Sequence, residues 1–236
     1  MTRLRSNNDG GAVPIKHLDF MHIGKCAGNQ IESLLTQISN QSDFTFTFHQ
    51  HEIKLRHLDS AVPYFFSIRN PISRFFSGFY SRKRKGQPKF YNPWTSHEEK
   101  SFQYFPHANN LAESLFDHDL EGRLARNAIT TIGHLRNHQI DWFEGQGEFL
   151  DLHPPVGIIR VEHFDRDLDK LLSKLDLDFS NNEIIISNNP IVMHKNDYSN
   201  AEPLSKKAKE NLQQWYLRDF FFYATCEDWI IQNNFK

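Results

Sequence analysis

The sequence predicts an α/β fold, a parallel sheet with helices on both faces. Three observations carry that expectation. A short apolar run, Leu18 to Ile23, gives way to a glycine-bearing loop and then to a helical repeat of apolar residues. The same order returns at Tyr64 to Ile68, with Asn70-Pro71 in place of the glycines. A third buried run, Val156 to Val161, precedes a helical pattern from Asp165 to Leu175. Strands that alternate with helices pair in parallel, because each crossover helix returns the chain to the same edge of the sheet. A length of 236 residues fits one domain, residues 1–236. With 39% hydrophobic residues and 21 Phe, the chain can build a sizeable core, which excludes a disordered polypeptide.

Each element has a local reason. In the first unit Ile31, Leu34, Leu35 and Ile38 recur at i, i+3, i+4 and i+7, the spacing of one helix face. Asn29 is the expected N-cap, with Glu32 completing a variant of the capping box. Phe44 to Phe48 alternates Phe and Thr and predicts a short strand. In the second unit Asn70 suits an N-cap and Pro71 the first helical position. Ile72, Phe75, Phe76 and Phe79 then form an apolar stripe, while Arg74, Ser77 and Ser81 share another face. Leu111 to Leu115 and Arg123 to Trp142 carry mixed helical patterns, and Glu183 to Ser187 is a candidate last strand. Ser205 is expected to cap a C-terminal helix through Leu212, Trp215 and Tyr216, with the aromatic run Phe220 to Tyr223 docked on the core.

The net charge of −2 conceals an asymmetry. Between Ser60 and His97 there is no Asp or Glu, but there are seven bases: Arg69, Arg74, Arg82, Lys83, Arg84, Lys85 and Lys89. The remainder carries 20 bases against 29 acids. Two readings of this island stand: a solvated helix face, and a site for an anionic ligand. Two cysteines, Cys26 and Cys226, exclude a disulfide scaffold and a four-cysteine zinc module. No apolar run approaches the roughly 18–20 residues that span a bilayer. The polar start, Met1 to Gly11, has no apolar signal segment, so a soluble cytoplasmic protein is expected.

A glycine loop between a strand and a helix N-terminus can hold phosphate, because backbone N–H groups point at the ligand and the helix dipole favours negative charge. Gly24-Lys25-Cys26-Ala27-Gly28-Asn29 is such a loop, with the charge of Lys25 inside it; the alternative is a plain tight turn. It is not a Walker A motif. The Gly-Lys-Ser/Thr ending is missing, and Cys26 stands where a magnesium-binding hydroxyl would be. In the second unit Arg69 ends a strand and Ser77 lies about two turns into the next helix, both suitable donors to phosphate. Two phosphate cradles at the carboxyl ends of neighbouring strands suit a nucleotide phosphorylated at two positions.

These residues resemble a family. Met21 to Asn29 is similar to the 5′-phosphosulfate loop of sulfotransferases that use 3′-phosphoadenosine 5′-phosphosulfate (PAPS). Ser67 to Tyr80 is similar to their 3′-phosphate motif, Arg-Asp/Asn-Pro-x-x-Arg-x-x-Ser. Weaker similarity continues through Glu162-His163-Phe164 and from His194 to Cys226, closest to the carbohydrate O-sulfotransferase branch and its bacterial relatives. The loop departs from the family at Gly24, which replaces a common Pro, at Cys26, which replaces Thr, and at Asn29 or Gln30, which replace a hydroxyl residue. The resemblance implies a P-loop-like sheet and transfer of a sulfuryl group from PAPS to an acceptor hydroxyl on a saccharide or other small molecule, releasing 3′,5′-adenosine diphosphate without a metal. It implies that Gly24, Lys25, Cys26, Ala27, Gly28, Asn29 and Gln30 surround the 5′-phosphosulfate. Lys25 would stabilise the leaving oxygen, and Arg69 and Ser77 would hold the 3′-phosphate.

The acceptor hydroxyl needs a base, and histidine titrates in the right range. His51, which opens a His-x-x-x-Leu segment, is preferred, with His49 as the other candidate. A metal site built on the two has no third ligand in the sequence. Lys195 and His194 fit either a surface loop or an approach to the nucleotide; Arg82 to Lys85 fit a nucleotide entrance or an acidic acceptor site. Glu162 fits either an orienting or a structural role. Cys26, beside Lys25 and a helix N-terminus, has the setting of a lowered pKa but reads as a loop residue. Trp94 and Tyr104, among the middle helices, are compatible with an acceptor pocket. Two other functions fit the cradles, a nucleotide kinase-like phosphotransferase and a non-catalytic module that binds nucleotide or anionic glycan.

Overall fold

The computed structural model describes residues 16–145, 147–177, 198 and 201–234. The elements run β1 (His17–Met21), α1 (Gly28–Gln41), β2 (Thr45–Phe48), β3 (Tyr64–Ile68), α2 (Pro71–Lys83), α3 (Ser96–Tyr104), α4 (Ala108–Glu113), α5 (Leu120–Thr131), α6 (Phe149–Leu152), β4 (Gly157–Arg160), α7 (Phe164–Lys174), α8 (Lys206–Trp215) and α9 (Leu217–Asn234). The four strands form one parallel sheet in the order β2-β1-β3-β4. This is the expected α/β architecture. Phe20 pairs with Phe65, and Met21 with Phe66, so the loops after β1 and β3 leave the same edge side by side. The candidate strand Glu183 to Ser187 lies outside the described residues.

Each face of the sheet has its own cover. Leu18, Phe20, Phe65 and Ile159 pack on Ile31, Leu34, Leu35 and Ile38 of α1 and on Leu168, Leu171 and Leu172 of α7. Met21, Tyr64, Phe66 and Ile158 face the opposite way, onto Phe149 and Leu150 of α6 and Phe222, Cys226 and Ile230 of α9. Every residue of β3 is buried, as a central parallel strand covered on both faces requires. Each such Phe contributes about 1.5–3 kcal/mol of burial. A third cluster joins Phe75 and Phe79 of α2 to helices α3, α4, α5 and α8. Among the described residues no helix is long and apolar enough to cross a membrane.

Several local expectations hold. The Asn70 side chain accepts from the amides of Ile72 and Ser73 with Pro71 in the first turn, and Ser205 Oγ accepts from Ala208 N at 3.1 Å. Two are corrected. The helical pattern from Arg123 to Trp142 is broken, with α5 ending at Thr131 and a single 3₁₀ turn forming at Gln139–Trp142. The break is fixed by Glu98, whose carboxylate accepts the Gly133 amide at 3.1 Å in place of a helical carbonyl. Of the aromatic run, Phe222 enters the core and Phe220 and Tyr223 pack against core clusters, but Phe221 is 68% exposed, because it lies on the helix face turned away from them.

Glu98 also receives Arg82 Nε at 2.6 Å and Nη2 at 2.7 Å, tying α2, α3 and the post-α5 turn together. Burial alone would raise its carboxyl, but the bonds from Arg82, Thr95 and Gly133 outweigh burial and bring it down to about 2. Its stabilising contribution is therefore complete above the ordinary value of 4.5 and is lost as pH falls toward about 2. Glu98→Ala leaves the Arg82 guanidinium buried and unpaired, and is expected to cost about 3–5 kcal/mol, read as a lower urea midpoint at pH 7.

Candidate functional site

The loop after β1 is shaped by its neighbours. Lys25 (φ +69°) and Ala27 (φ +63°) adopt left-handed conformations, and α1 starts at Gly28 with Ala27 as its N-cap. Asn29, the expected cap, instead lies in the first turn, and no side chain caps the helix. Glu32 does not close a capping box either; its carboxylate meets His22 Nδ1 at 3.0 Å. Gly28 explains the shift. A Cβ there would lie 1.7 Å from His22 Nε2, so only glycine lets the helix start directly on the His22 ring.

Three consecutive loop carbonyls are tied to the second unit. Arg74 Nε donates to Gly24 O at 2.9 Å, Arg69 Nη1 to Lys25 O at 3.4 Å and Ser67 Oγ to Cys26 O at 2.5 Å. The Gln30 amide is taken by Ala27 O and the Cys26 amide by Ile23 O. The amides of Lys25, Ala27, Gly28 and Asn29 donate to no described group. Successive free amides at a helix start form a concavity for an anion.

Arg69 is held from behind. Gln139, fully buried, accepts the Arg69 amide at 2.9 Å and donates to the Arg69 carbonyl at 2.8 Å. Arg69 Nε donates to Ser73 Oγ at 3.1 Å, and Ser73 Oγ donates to Glu162 at 2.9 Å. Glu162 also accepts the Asn70 amide and the Tyr223 hydroxyl, so it braces the motif through Ser73. Ser77 is buried further along α2, and its hydroxyl bonds to no described group. Sequence reasoning named Arg69, Arg74 and Glu162 but missed Gln139, a polar residue in a stretch without a motif.

The electrostatics follow from this crowding. Burial, then Arg69, Arg84 and Arg74, bring the Lys25 amine down to about 8. Cys26 behaves oppositely to its expected setting. Its side chain is fully buried beside Gln139 Oε1 (3.3 Å), and burial pushes the thiol up to about 12 despite Arg74 and Arg69. It is a core residue rather than a loop donor. The basic run is likewise absorbed. Arg82 pairs with Glu98, Lys83 donates to Pro106 O, Arg84 lies over the Tyr198 ring and Lys85 over the Trp94 ring at 4.4 Å.

Beside the loop opens a cavity of about 1020 Å³, walled by Gly24, His51, Arg74, His134, Trp142 and Phe143 among others. His51 Nδ1 lies 3.1 Å from His22 O. A carbonyl only accepts, so Nδ1 carries the proton and Nε2 is left as the basic lone pair. Trp142 Nε1 donates to His51 O at 2.9 Å and fixes its backbone. Burial and then His22 hold the His51 pKa below its ordinary 6.5. His49 is not part of this wall; its Nε2 lies 3.1 Å from Asp19 Oδ2. Among the described residues no group of three or more metal-ligating side chains converges. Trp94 donates to Arg82 O and packs on Phe102, and Tyr104 is exposed, so neither joins the cavity. His134, which no motif signalled, does. Lys195 and His194 lie outside the described residues.

Comparison with known proteins adds no relative: no protein-family model, no curated protein and no solved structure matches the chain.

Two outcomes test the loop. Gly28→Ala drives a methyl into His22 and is expected to cost about 1–3 kcal/mol in urea unfolding, as overpacking does; His22→Ala in the same chain should restore part of that loss. Because Lys25 sits near 8, an anion bound by the loop raises its pKa. Calorimetry at pH 8 in buffers of different ionisation enthalpy is expected to show proton uptake on binding 3′,5′-adenosine diphosphate, and none with Lys25→Met.

Proposed function

We propose that this chain is a PAPS-dependent sulfotransferase with a P-loop-like nucleotide site. The observation that carries the reading is the loop after β1: its carbonyls are tied back by Ser67, Arg69 and Arg74, four of its amides have no partner among the described residues, Lys25 is crowded by arginines, and Gly24 opens on the cavity that holds His51. The donor set fits an anionic nucleotide: amides and Lys25 for the 5′-phosphosulfate, Arg69 and Ser77 for the 3′-phosphate. PAPS supplies the sulfuryl group, and adenosine 3′,5′-diphosphate leaves.

The chain's own groups do the rest. His51 Nε2 takes the proton of the acceptor hydroxyl as the new S–O bond forms. Lys25 and the loop amides stabilise the charge that develops on the departing phosphate oxygen, the kind of preorganised electrostatics that dominates in-line group transfer. Gly24, between loop and cavity, lets the acceptor approach the donor.

Three results are expected. 3′,5′-Adenosine diphosphate raises the Tm more than 5′-AMP or ADP does, in EDTA; equal shifts count against Arg69 and Ser77, and a magnesium requirement with phosphoryl transfer would favour a kinase-like enzyme. Single-turnover assays separate the roles: Lys25→Ala lowers turnover and weakens nucleotide binding, whereas His51→Ala lowers turnover about 10²–10⁴-fold and leaves nucleotide affinity near wild type. Nucleotide binding without transfer to any acceptor would point to a binding module. The pH profile of kcat/KM is bell-shaped. Activity rises as His51 loses its proton below 6.5 and falls as Lys25 loses its own near 8; Lys25→Arg should move the alkaline limb up.

A further inference from the structure

The turn after α5 puts a second imidazole into the cavity, and the mechanism above does not use it. His134 has φ +69°, in the left-handed region. Three contacts hold it there. Glu98, gripped by Arg82, accepts the preceding Gly133 amide. The Tyr216 hydroxyl donates to Leu135 O at 2.9 Å. On α2, a Cβ at Gly78 would lie 2.9 Å from Leu135 Cδ2 and 3.3 Å from His134 Cβ, so the helix is pressed against the turn. Backbone in a sparsely populated region persists where its surroundings over-determine it, and such residues gather at ligand sites.

The ring so held is half-buried on the cavity wall, and neither nitrogen has a hydrogen-bond partner among the described residues. It stands opposite His51, ring centroids 6.3 Å apart, with Gly24 between: a Cβ at Gly24 would lie 3.6 Å from His134 Nδ1 and 3.9 Å from His51 Nδ1. Burial and the charges of Lys25, His51, Arg74 and Arg82 bring its pKa down to about 3. The ring is therefore neutral and offers one N–H and one lone pair.

We propose that His134 binds the acceptor: its imidazole hydrogen-bonds the same molecule whose hydroxyl His51 deprotonates. Each hydrogen bond spans about 2.7–3.0 Å, so rings at this separation reach two oxygens of one polyhydroxyl molecule. The direction of the chemistry rests on the sulfuryl-transfer reading; the cavity contact does not.

The test variant is His134→Gly, which removes the ring and suits the left-handed backbone. His134→Asn is the conservative partner, since Asn tolerates that conformation and keeps a donor and an acceptor. At saturating donor, His134→Gly is expected to raise the acceptor KM about tenfold, the scale of one lost hydrogen bond, with a much smaller change in kcat. His134→Asn should recover part of that, and affinity for 3′,5′-adenosine diphosphate should stay at wild type in both. Independently of turnover, histidine-ring NMR of the wild-type protein titrated with methyl glucoside, a small polyhydroxyl probe, should move the His134 and His51 resonances together and saturably. An unchanged acceptor KM in His134→Gly, or His134 resonances that ignore the probe, overturns the proposal. Failure of the wild-type protein to bind 3′,5′-adenosine diphosphate would instead overturn the sulfuryl-transfer reading, and the NMR titration then decides the His134 contact.

Discussion

Three side chains of the second strand–helix unit grip the first loop by its carbonyls, and the site depends on that grip. A peptide group is planar, with its C=O and N–H on opposite sides. Once Ser67, Arg69 and Arg74 draw the carbonyls of Cys26, Lys25 and Gly24 to themselves, the amides of Ala27 and Lys25 turn the other way, while the Cys26 amide closes back onto Ile23 O. Parallel pairing of β1 with β3 makes the grip possible, because residues some 40–50 positions apart leave the sheet at one edge. The left-handed φ at Lys25 and Ala27 is the local consequence. Gly28, seated on His22, is what lets α1 begin at once behind them.

That arrangement gathers positive charge that the fold does not neutralise. Arg82 and Arg74 lie two turns apart on α2, and both are buried. Arg82 meets a carboxylate with two bonds, whereas Arg74 meets the carbonyls of Gly24 and Asn137 and the Trp142 face at 6.0 Å. Carbonyl dipoles solvate a guanidinium without cancelling its charge, so Arg74 still acts on Lys25 together with Arg69 and Arg84. Between about 8 and 10.5 the unfolded chain binds more protons at Lys25 than the folded one, so folding becomes more favourable as pH rises through that window. On the sulfuryl-transfer reading, an anion at the loop would relieve the same repulsion and tie ligand binding to stability through one amine.

The sheet was legible in the sequence because β3 is a continuous apolar run, β1 and β4 lie within short apolar runs, β2 alternates Phe and Thr, and helices begin with recognisable chemistry, as at Asn70-Pro71 and Ser205. The first helix was placed two residues late, since Asn29 is a good cap by type, but Gly28 on the His22 ring lets the helix start with Ala27 as its cap. Cys26 misled for a related reason. Lys25 precedes it in the chain and Arg69 and Arg74 approach it in space, yet its side chain is buried in the core, where burial wins over charge. Arg69 and Arg74 were named from spacing. Gln139 and His134 were not, because their roles come from contacts with β3 and α2, far away in sequence, and no local pattern marks them.

Those two residues belong to one segment, 133–142, and it joins the two halves of the site. Gln139 clamps the backbone of Arg69, Asn137 accepts from Arg74, Trp142 fixes His51, and His134 faces the cavity. Behind it, α9 supplies Asp219, whose Oδ1 accepts the Ile140 amide at 3.3 Å. The loop after β1 is thus built by the two strand–helix units, and much of the cavity wall by a segment that leans on them. On the sulfuryl-transfer reading this separates donor from acceptor. A change at Asn137 or Gln139 reaches the loop through Arg74 or Arg69, whereas a change confined to the cavity side of His134 alters what can be held against His51 without moving a single loop carbonyl.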